Sequence, residues 1–272
     1  MEKRRTTRRR VLAVVTAATA MLAFGCGTGL DTDKVRAFDP SAVPGLLAWL
    51  DAADLANGNS TFQSINPGTG WRIRGGSGSG PLNLSGGTAT WDAASGPGAT
   101  PLLQLPASSP FSSNGVVPPG TLTGVSVYAV GRTNGLYSPL LGFSGTSTSF
   151  TFVPGFTLGS HNGAAFVVTN DSTLPSFAQG PTGDSNFHIH AGRWESGGLP
   201  ELTYDGTVYS GTALGGTLPV NAPGNQILAI GDGEGGSATT KDVSEVFLYD
   251  RKVQDWEHQR LLQYLRTKYN LP

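Results

Sequence analysis

Short segments that alternate apolar and polar residues recur along the second half of the chain, and turn-forming residues separate nearly all of them. Residues 125–131 alternate in "GVSVYAVGR", and comparable segments follow, among them "AAFVVTN", "NFHIHAGRW", "ELTYDGTVYSG" and "DVSEVFLYD". Thirty-nine glycines and a charged fraction of only 14% also favour strands and turns over helices. Many short strands separated by turns predict an all-β fold, an antiparallel sandwich of two sheets.

One helical pattern stands at the C-terminal end, in "VQDWEHQRLLQYLRTKYNLP". Its apolar residues fall near one stripe, and they are Trp256, Leu261, Tyr264 and Leu265. Acidic residues begin the pattern and basic residues end it, which suits the helix dipole. We expect one C-terminal α-helix packed on an edge of the sandwich, with Trp49 and Trp256 in the core.

The first 25 residues have the composition of an export signal. Six Lys or Arg residues lie within the first ten, and an uncharged run over residues 11–24 follows, shorter than the roughly twenty residues of a transmembrane helix. Within it, "TRRRVLA" resembles a twin-arginine signal. The sequence predicts a signal peptide over residues 1–25, a tether over 26–40 and a folded domain over 41–272, in a protein of the cell envelope or a secreted one.

Cys26 is the only cysteine and directly follows the apolar run, in "LAFGC". This segment resembles a bacterial lipobox, which implies lipidation of Cys26 and membrane contact through that anchor alone. The alternative is cleavage at the same place without a lipid. A single cysteine excludes an intramolecular disulfide, so the fold depends on its packed core.

The charge of the mature chain excludes one class of partner. Without residues 1–25 the chain keeps 12 basic and 18 acidic side chains, a formal net charge of −6. No basic stripe remains to neutralise phosphates, so nucleic acid is not an expected partner.

Both ends of the predicted domain resemble a known family. "PGLLAWLDAADL" and "DVSEVFLYDRKVQDWEHQRLLQYLRTKYNLP" are similar to the ends of laminin-G-like, concanavalin A-like jelly-roll domains of bacterial surface proteins. The matching positions are Asp242, Glu245, Val246, Tyr249, Glu257, Tyr264, Leu265, Lys268 and Tyr269. The resemblance implies a jelly-roll sandwich over residues 41–272. The family's Trp-x-Asp-x-Ser-Gly-x-Gly segment is missing, and Gln254 stands where Ser or Thr usually caps the helix.

The segment "ILAIGDGEGG", residues 227–236, contains a G-x-G-x-x-G pattern. A dinucleotide loop must lead into a helix, whereas a strand pattern follows here, and two acidic side chains would face the phosphates. We therefore expect a hairpin loop between the last two strands. The resemblance implies calcium at a rim, with Asp232, Glu234 and Asp242 as candidate oxygen ligands; the alternative is a solvated acidic turn.

Two histidines, His188 and His190, lie two apart and therefore on one face of a strand. Because Phe187, Ile189 and Ala191 alternate with them, we expect those three toward the core and the histidines outward. A metal site is one interpretation, but the sequence offers no partner cluster nearby. A polar strand face that lines a sugar-binding surface is the other.

Aromatic residues in loops and near hairpin ends favour carbohydrate binding, because sugars stack their C–H faces on such rings. The candidates are Trp71 and Trp91 in the Gly/Ser-rich stretch, and Trp194 and Tyr204 near hairpin ends, together with His188 and His190. For the loop aromatics the alternative is a plug over the edge of the sandwich.

The predicted function is an extracytoplasmic binding module for a glycan or a cell-surface protein, helped by Ca²⁺ if the acidic loop holds it. A structural or adhesive module without a small ligand is one alternative. A glycan-cleaving jelly-roll enzyme is another, although neither its Glu-x-Asp-x-x-Glu pattern nor a G-x-S-x-G elbow is present.

Overall fold

A computed structural model describes most of the predicted domain. The described residues are 38–55, 61–62, 64–65, 71–73, 82–84, 88–107, 111–114, 120–133, 137–144, 155–161, 164–170, 175–213, 220–222, 227–231 and 240–272. The predicted signal peptide, Cys26 and the tether up to residue 37 lie outside them. Over these ranges, no helix combines the length and the apolar character needed to cross a membrane.

The described ranges contain 21 strands and one α-helix. The strands are β1 Leu46–Asp51, β2 Thr61–Phe62, β3 Ser64–Ile65, β4 Trp71–Ile73, β5 Leu82–Leu84, β6 Ala89–Asp92, β7 Leu102–Leu105, β8 Phe111–Asn114, β9 Gly120–Leu122, β10 Gly124–Thr133, β11 Tyr137–Ser144, β12 Gly155–His161, β13 Ala164–Asn170, β14 Pro175–Thr182, β15 His188–Glu195, β16 Glu201–Tyr204, β17 Thr207–Ser210, β18 Thr212–Ala213, β19 Val220–Ala222, β20 Ile227–Ile230 and β21 Lys241–Tyr249. The helix is α1 Asp255–Tyr269, and short 3₁₀ turns span Pro40–Ala42, Ala52–Leu55 and Pro97–Ala99.

Two antiparallel sheets form the sandwich. The first, here called the helix-side sheet, has the order β17-β16-β15-β10-β21-β7-β6-β2, with β1 also beside β21 and β4 beside β1. The second, the opposite sheet, has the order β18-β14-β13-β12-β11-β20-β8-β5-β3, and β9 pairs with β19 separately. The prediction of an all-β antiparallel two-sheet sandwich with one C-terminal α-helix is confirmed.

The centre of the helix-side sheet is buried on both faces. All nine residues of β21 are buried, because one face meets the opposite sheet and the other meets α1. Val246 and Leu248 belong to the core between the sheets, whereas Phe247 and Tyr249 belong to a second core under the helix. The fold therefore has two apolar layers, and alternation along these strands separates one core from the other.

The helix packs on the sheet through a stripe shifted from the predicted one. Leu261, Leu265 and Tyr269 are buried in the second core, as is Trp49, but Trp256 is 62% exposed. The placement of Trp256 in the core was wrong because Glu257 and His258 occupy the first turn of the buried stripe. Gln254 stands at the N-cap of the helix, where Ser or Thr is usual. Its backbone N–H donates to the Glu257 carboxylate at 2.7 Å.

An ionic cluster joins α1 to the sheet beneath it. Lys268 donates from Nζ to the Asp51 carboxylate at 2.6 Å and to the Glu245 carboxylate at 3.0 Å. Glu245 also accepts from the indole N–H of Trp49 at 2.8 Å and from the Tyr264 hydroxyl at 3.2 Å. All of these residues belong to the segments 44–55 and 242–272, so the two ends of the predicted domain meet in one cluster beneath the helix.

The segment "ILAIGDGEGG" does not form the expected hairpin. The strand β20 belongs to the opposite sheet, where it pairs with β11 and β8, whereas β21 belongs to the helix-side sheet. The loop between them therefore crosses from one sheet to the other. A strand follows it, as predicted, and residues 232–239 themselves lie outside the described residues.

The predicted Asp205–Gly206 turn does join two strands, β16 and β17. Both residues have positive φ, 47° at Asp205 and 83° at Gly206, as a two-residue primed turn requires. The guanidinium of Arg266 donates to the Asp205 carbonyl at 2.8 Å and covers the turn. The turn is thus fixed both by its own backbone and by the helix.

Replacing Gly206 with alanine should lower the free energy of unfolding by about 2–3 kcal/mol, because φ is positive and the added β-carbon would collide with Arg266. The matched control is Gly197→Ala, where φ is also positive, 82°, but nothing lies within 4 Å of the added carbon. It should cost only the backbone contribution, about 1–2 kcal/mol. Equal losses in urea unfolding would contradict a role for the Arg266 contact.

Candidate binding site at one end of the sandwich

Several strand ends of the helix-side sheet meet at one end of the sandwich. Register pairs Gly131 with His188 and Arg132 with Asp242, so the end of β10 lies beside the starts of β15 and β21. Residues 183–187 cross to this end from β14 in the opposite sheet. We call this end of the sandwich, with residues 183–188 and 204–206, the rim.

A histidine at the rim is held between two carboxylates. The Nε2 of His188 lies 2.7 Å from Oδ1 of Asp184, and its Nδ1 lies 2.6 Å from Oδ2 of Asp205. Because a carboxylate only accepts, both ring nitrogens donate when the ring is an imidazolium. We call Asp184, His188 and Asp205 the histidine clamp. The clamp joins residues 183–187, which cross between the sheets, to the turn after β16.

The titration of the clamp agrees with its geometry. Burial lowers the pKa of His188, but the hydrogen bonds to Asp205 and Asp184 outweigh burial and raise that pKa above its ordinary value. The same contact lowers the pKa of the Asp184 carboxyl to about 2, helped by the backbone N–H of Asn186. At neutral pH Asp184 is therefore an anion, with a side chain that is 55% exposed.

Behind the clamp lie two further rings, those of His190 and Tyr204. Tyr204 stacks on His188 with centroids 4.5 Å apart, and its ring also meets His190 edge-on at 5.0 Å. His190 is only 2% exposed, and among the described residues neither of its ring nitrogens has a hydrogen-bond partner. Burial, and then the charge of His188, lowers the pKa of His190 to about 3, so the ring is neutral.

The expectation that both histidines point outward was wrong. Ile189 and Ala191 do face apolar packing, but it is the core under the helix. His188 and His190 face the other way, toward the core between the sheets with Tyr204. His190 is buried there, and only His188 reaches the rim.

On the helix side of the same end, Arg132 and Asp242 form an ion pair. Arg132 donates from Nε to Asp242 at 2.8 Å, and Gln104 donates to the same carboxylate at 3.2 Å. The Arg132 guanidinium also lies 4.8 Å from the ring centroid of half-buried Phe187. Asp242, a predicted calcium ligand, is thus 1% exposed and paired with the Arg132 guanidinium.

Two further predicted calcium ligands, Asp232 and Glu234, lie outside the described residues. Within the part of the chain that the structure describes, no three histidine or acidic side chains are grouped as metal ligands.

The aromatic candidates divide between rim and core. Trp194 is fully buried and donates its indole N–H to the Gly198 carbonyl at 3.2 Å, which leaves no ring surface for a ligand. Trp91 is partly buried, packs against the core and donates its indole N–H to the Ala52 carbonyl at 2.8 Å. The Trp71 backbone lies in β4, but its side chain is outside the described set.

Three residues that complete the rim were not predicted as site residues: Asp184, Asn186 and Phe187. Asp184 forms an Asx-type turn with Asn186, through hydrogen bonds at 2.7 Å to its backbone N–H and 2.8 Å to its side-chain amide. The Asp-Ser-Asn run was a local signal for that turn. Nothing local in the sequence indicated that His188 would join it to Asp205.

The chain is a two-sheet antiparallel β-sandwich with polar groups assembled at one end. A scan against models of protein families gives no match, and neither does a search of curated proteins. Similar solved structures include the receptor-binding domain of a botulinum neurotoxin C/D mosaic serotype, at 12% identity and a TM-score of 0.48, with 75% of this chain and 51% of that chain covered.

Two further similar structures are of related toxins. One, of botulinum neurotoxin type C, is described by cell entry that depends on interaction with two ganglioside molecules; it has 9% identity, a TM-score of 0.49 and coverage of 76% and 51%. The other is the ligand-binding domain of serotype D in complex with N-acetylneuraminic acid, at 12% identity, a TM-score of 0.46 and coverage of 75% and 50%. The chain spans about half the length of each.

Proposed function

We propose that this domain is an extracytoplasmic module that binds carbohydrate at the rim. The observation that carries the proposal is the histidine clamp, which fixes the half-exposed Asp184 carboxylate at the surface through His188 and Asn186. A carboxylate has about four lone-pair sites, so Asp184 keeps capacity for sugar hydroxyls. Because its position is already fixed, less entropy is lost when a ligand binds.

Apolar and polar groups adjoin that carboxylate, as a sugar site requires. Phe187 precedes His188 and offers a half-buried ring, held by Arg132. Asn186 is exposed beside Asp184 and supplies amide groups. His190, buried without a partner among the described residues, is the kind of unsatisfied group that proteins keep near a site of use.

The remaining parts of the proposal come from the sequence. The signal peptide over residues 1–25, and lipidation or cleavage at Cys26, would place the domain at the cell envelope or outside the cell. Calcium bound by Asp232 and Glu234 remains part of the proposal from the sequence alone. Adding a chelator to the glycan-binding assay tests the role of calcium separately from that of the histidine clamp.

Replacing Asp184 with alanine should weaken glycan binding by about 10- to 100-fold, the usual effect of losing hydrogen bonds to a charged group. The purified full chain is screened on a glycan array, and the affinity for the strongest ligand is then measured for each variant. The matched control is Asp92→Ala, because Asp92 is also an exposed aspartate in an Asx-type turn, with the Ala94 N–H at 2.9 Å.

Two outcomes would contradict the proposal. One is wild-type protein that binds none of the displayed glycans with or without calcium, which would favour the structural or protein-binding alternative. The other is equal binding by the Asp184 and Asp92 variants, which would move the site away from the rim.

A further inference from the structure

A surface on the far side of α1 carries an exposed indole. Trp256 lies in the first turn of the helix and is 62% exposed, the most exposed of the large apolar side chains among the described residues. Single exposed hydrophobic residues are common, so exposure alone decides nothing. What distinguishes Trp256 is the cation that lies over its ring.

Arg260, one turn further along α1, lies between two aromatic rings. Its guanidinium carbon is 5.8 Å from the Trp256 ring centroid and 6.0 Å from that of Phe38. Phe38 in turn packs edge-on against Tyr264 at 6.2 Å, which fixes it to the helix. A guanidinium held by rings keeps its N–H donors directed outward at low entropic cost.

No carboxylate within the described ranges neutralises Arg260. The two acidic residues of the same helix turn are taken by other partners: Asp255 pairs with Arg193 at 2.8 Å and Glu257 pairs with Arg251 at 2.6 Å. Arg260 is exposed, and none of the ion pairs seen within the described ranges includes it. Among the described residues it is therefore a cation held by aromatic rings without a paired carboxylate, next to the exposed Trp256 ring.

We infer that Phe38, Trp256 and Arg260 form a second binding surface, separate from the rim, for an acidic polysaccharide. The apolar face of a sugar unit stacks on Trp256, and its carboxylate accepts hydrogen bonds from the Arg260 guanidinium. This surface is independent of the histidine clamp, and the polysaccharide that it would bind is charged rather than neutral.

The number of cations at this surface favours a polysaccharide over an anionic membrane. One ring and one guanidinium match a single sugar unit with one carboxylate, whereas membrane adsorption depends on several basic residues near each other.

The test measures retention of the full chain by polygalacturonate, with dextran as the neutral comparison polymer. Trp256→Ala and Arg260→Gln should each weaken binding to polygalacturonate about tenfold, and added salt should weaken wild-type binding. Gln259→Ala, an exposed neighbour on the same helix, should bind like wild type. Asp184→Ala should also bind like wild type, because the rim is a separate site.

Several results would overturn this inference. Wild-type protein that is not retained by polygalacturonate, or is retained equally by dextran, would exclude an acidic sugar. Binding to phosphatidylglycerol vesicles alone, with the same dependence on Trp256, would assign the surface to a membrane. A wild-type dimer that Trp256→Ala dissociates would assign it to a second copy of the chain.

Discussion

Replacing Lys268 with methionine is expected to lower the free energy of unfolding by about 3–5 kcal/mol, the usual cost of removing one partner of a buried ion pair. Lys268 is the cation that α1 supplies to Asp51 and Glu245, at 2.6 and 3.0 Å. Glu245 is fully buried and Asp51 is 7% exposed. Methionine keeps the length of the stem and removes only the charge.

The pH dependence of this variant identifies the cause. Burial raises the pKa of Glu245 from 4.5 to about 7, although Lys268 opposes that rise. Between those values the unfolded chain releases a proton that the folded chain keeps, so this group lowers stability as pH increases. Without Lys268 the pKa of Glu245 should rise further, and the loss should be larger at pH 8 than at pH 5.

Urea unfolding at both pH values measures the effect. Lys252→Met is the matched control, because Lys252 also pairs with a carboxylate, that of Glu201, but both side chains are 25% exposed. An exposed pair of that kind contributes about 0–1 kcal/mol. Equal losses for the Lys268 and Lys252 variants would show that the cluster under the helix does not hold the fold together.

Two buried histidines should respond in opposite ways to replacement by leucine at pH 7. His190 has no hydrogen-bond partner among the described residues, so His190→Leu should raise stability by about 1–2 kcal/mol. His258 has partners at both ring nitrogens, the hydroxyls of Tyr128 at 2.8 Å and Thr203 at 3.1 Å. His258→Leu should lower stability by about 2–3 kcal/mol, because two hydroxyls then lose their partner.

Acid should separate the His190 variant from wild type further. Burial lowers the pKa of both His190 and His258 from 6.5 to about 3. Below pH 6.5 these two histidines bind protons in the unfolded chain but not in the folded chain. The free energy of unfolding therefore falls by several kcal/mol as the pH falls toward 3. His190→Leu should remove about half of that fall, and denaturant titrations between pH 4 and 7 measure it.

The same variant distinguishes a structural histidine from a functional one. If His190 contributes to glycan binding at the rim, the His190→Leu protein should be more stable than wild type yet bind glycan more weakly. The reason is that residues at functional sites often lower stability. A His190→Leu protein as unstable as the His258 variant would contradict an unpartnered imidazole.

The sequence predicted the sandwich because alternation and turn residues act locally. Asp205 and Gly206 form their turn with the φ values that these two residue types tolerate best, and the helix follows from its own apolar period. Packing partners are not local. The error at Trp256 arose because Glu257 and His258 are buried with partners outside the helix, Arg251 in the turn after β21 and Tyr128 on the distant strand β10.

Burial on both faces explains the error at the histidines. Alternation shows which residues share a face, but it does not show that a second face is covered by a helix. Ile189 therefore indicated a core correctly, yet His190 on the other face was buried beside the core between the sheets. The clamp could not be predicted, because Asp205 meets His188 only where β16 pairs with β15.

A histidine-selective NMR titration of the full chain, with the glycan that the array identifies, tests carbohydrate binding at the rim most directly. The chain has four histidines, and His258 on the buried face of α1 is an internal reference. The account predicts that the imidazole signals of His188 and His190 shift as the glycan saturates the protein, while that of His258 stays constant. Saturable binding that leaves both rim histidines unchanged would contradict it.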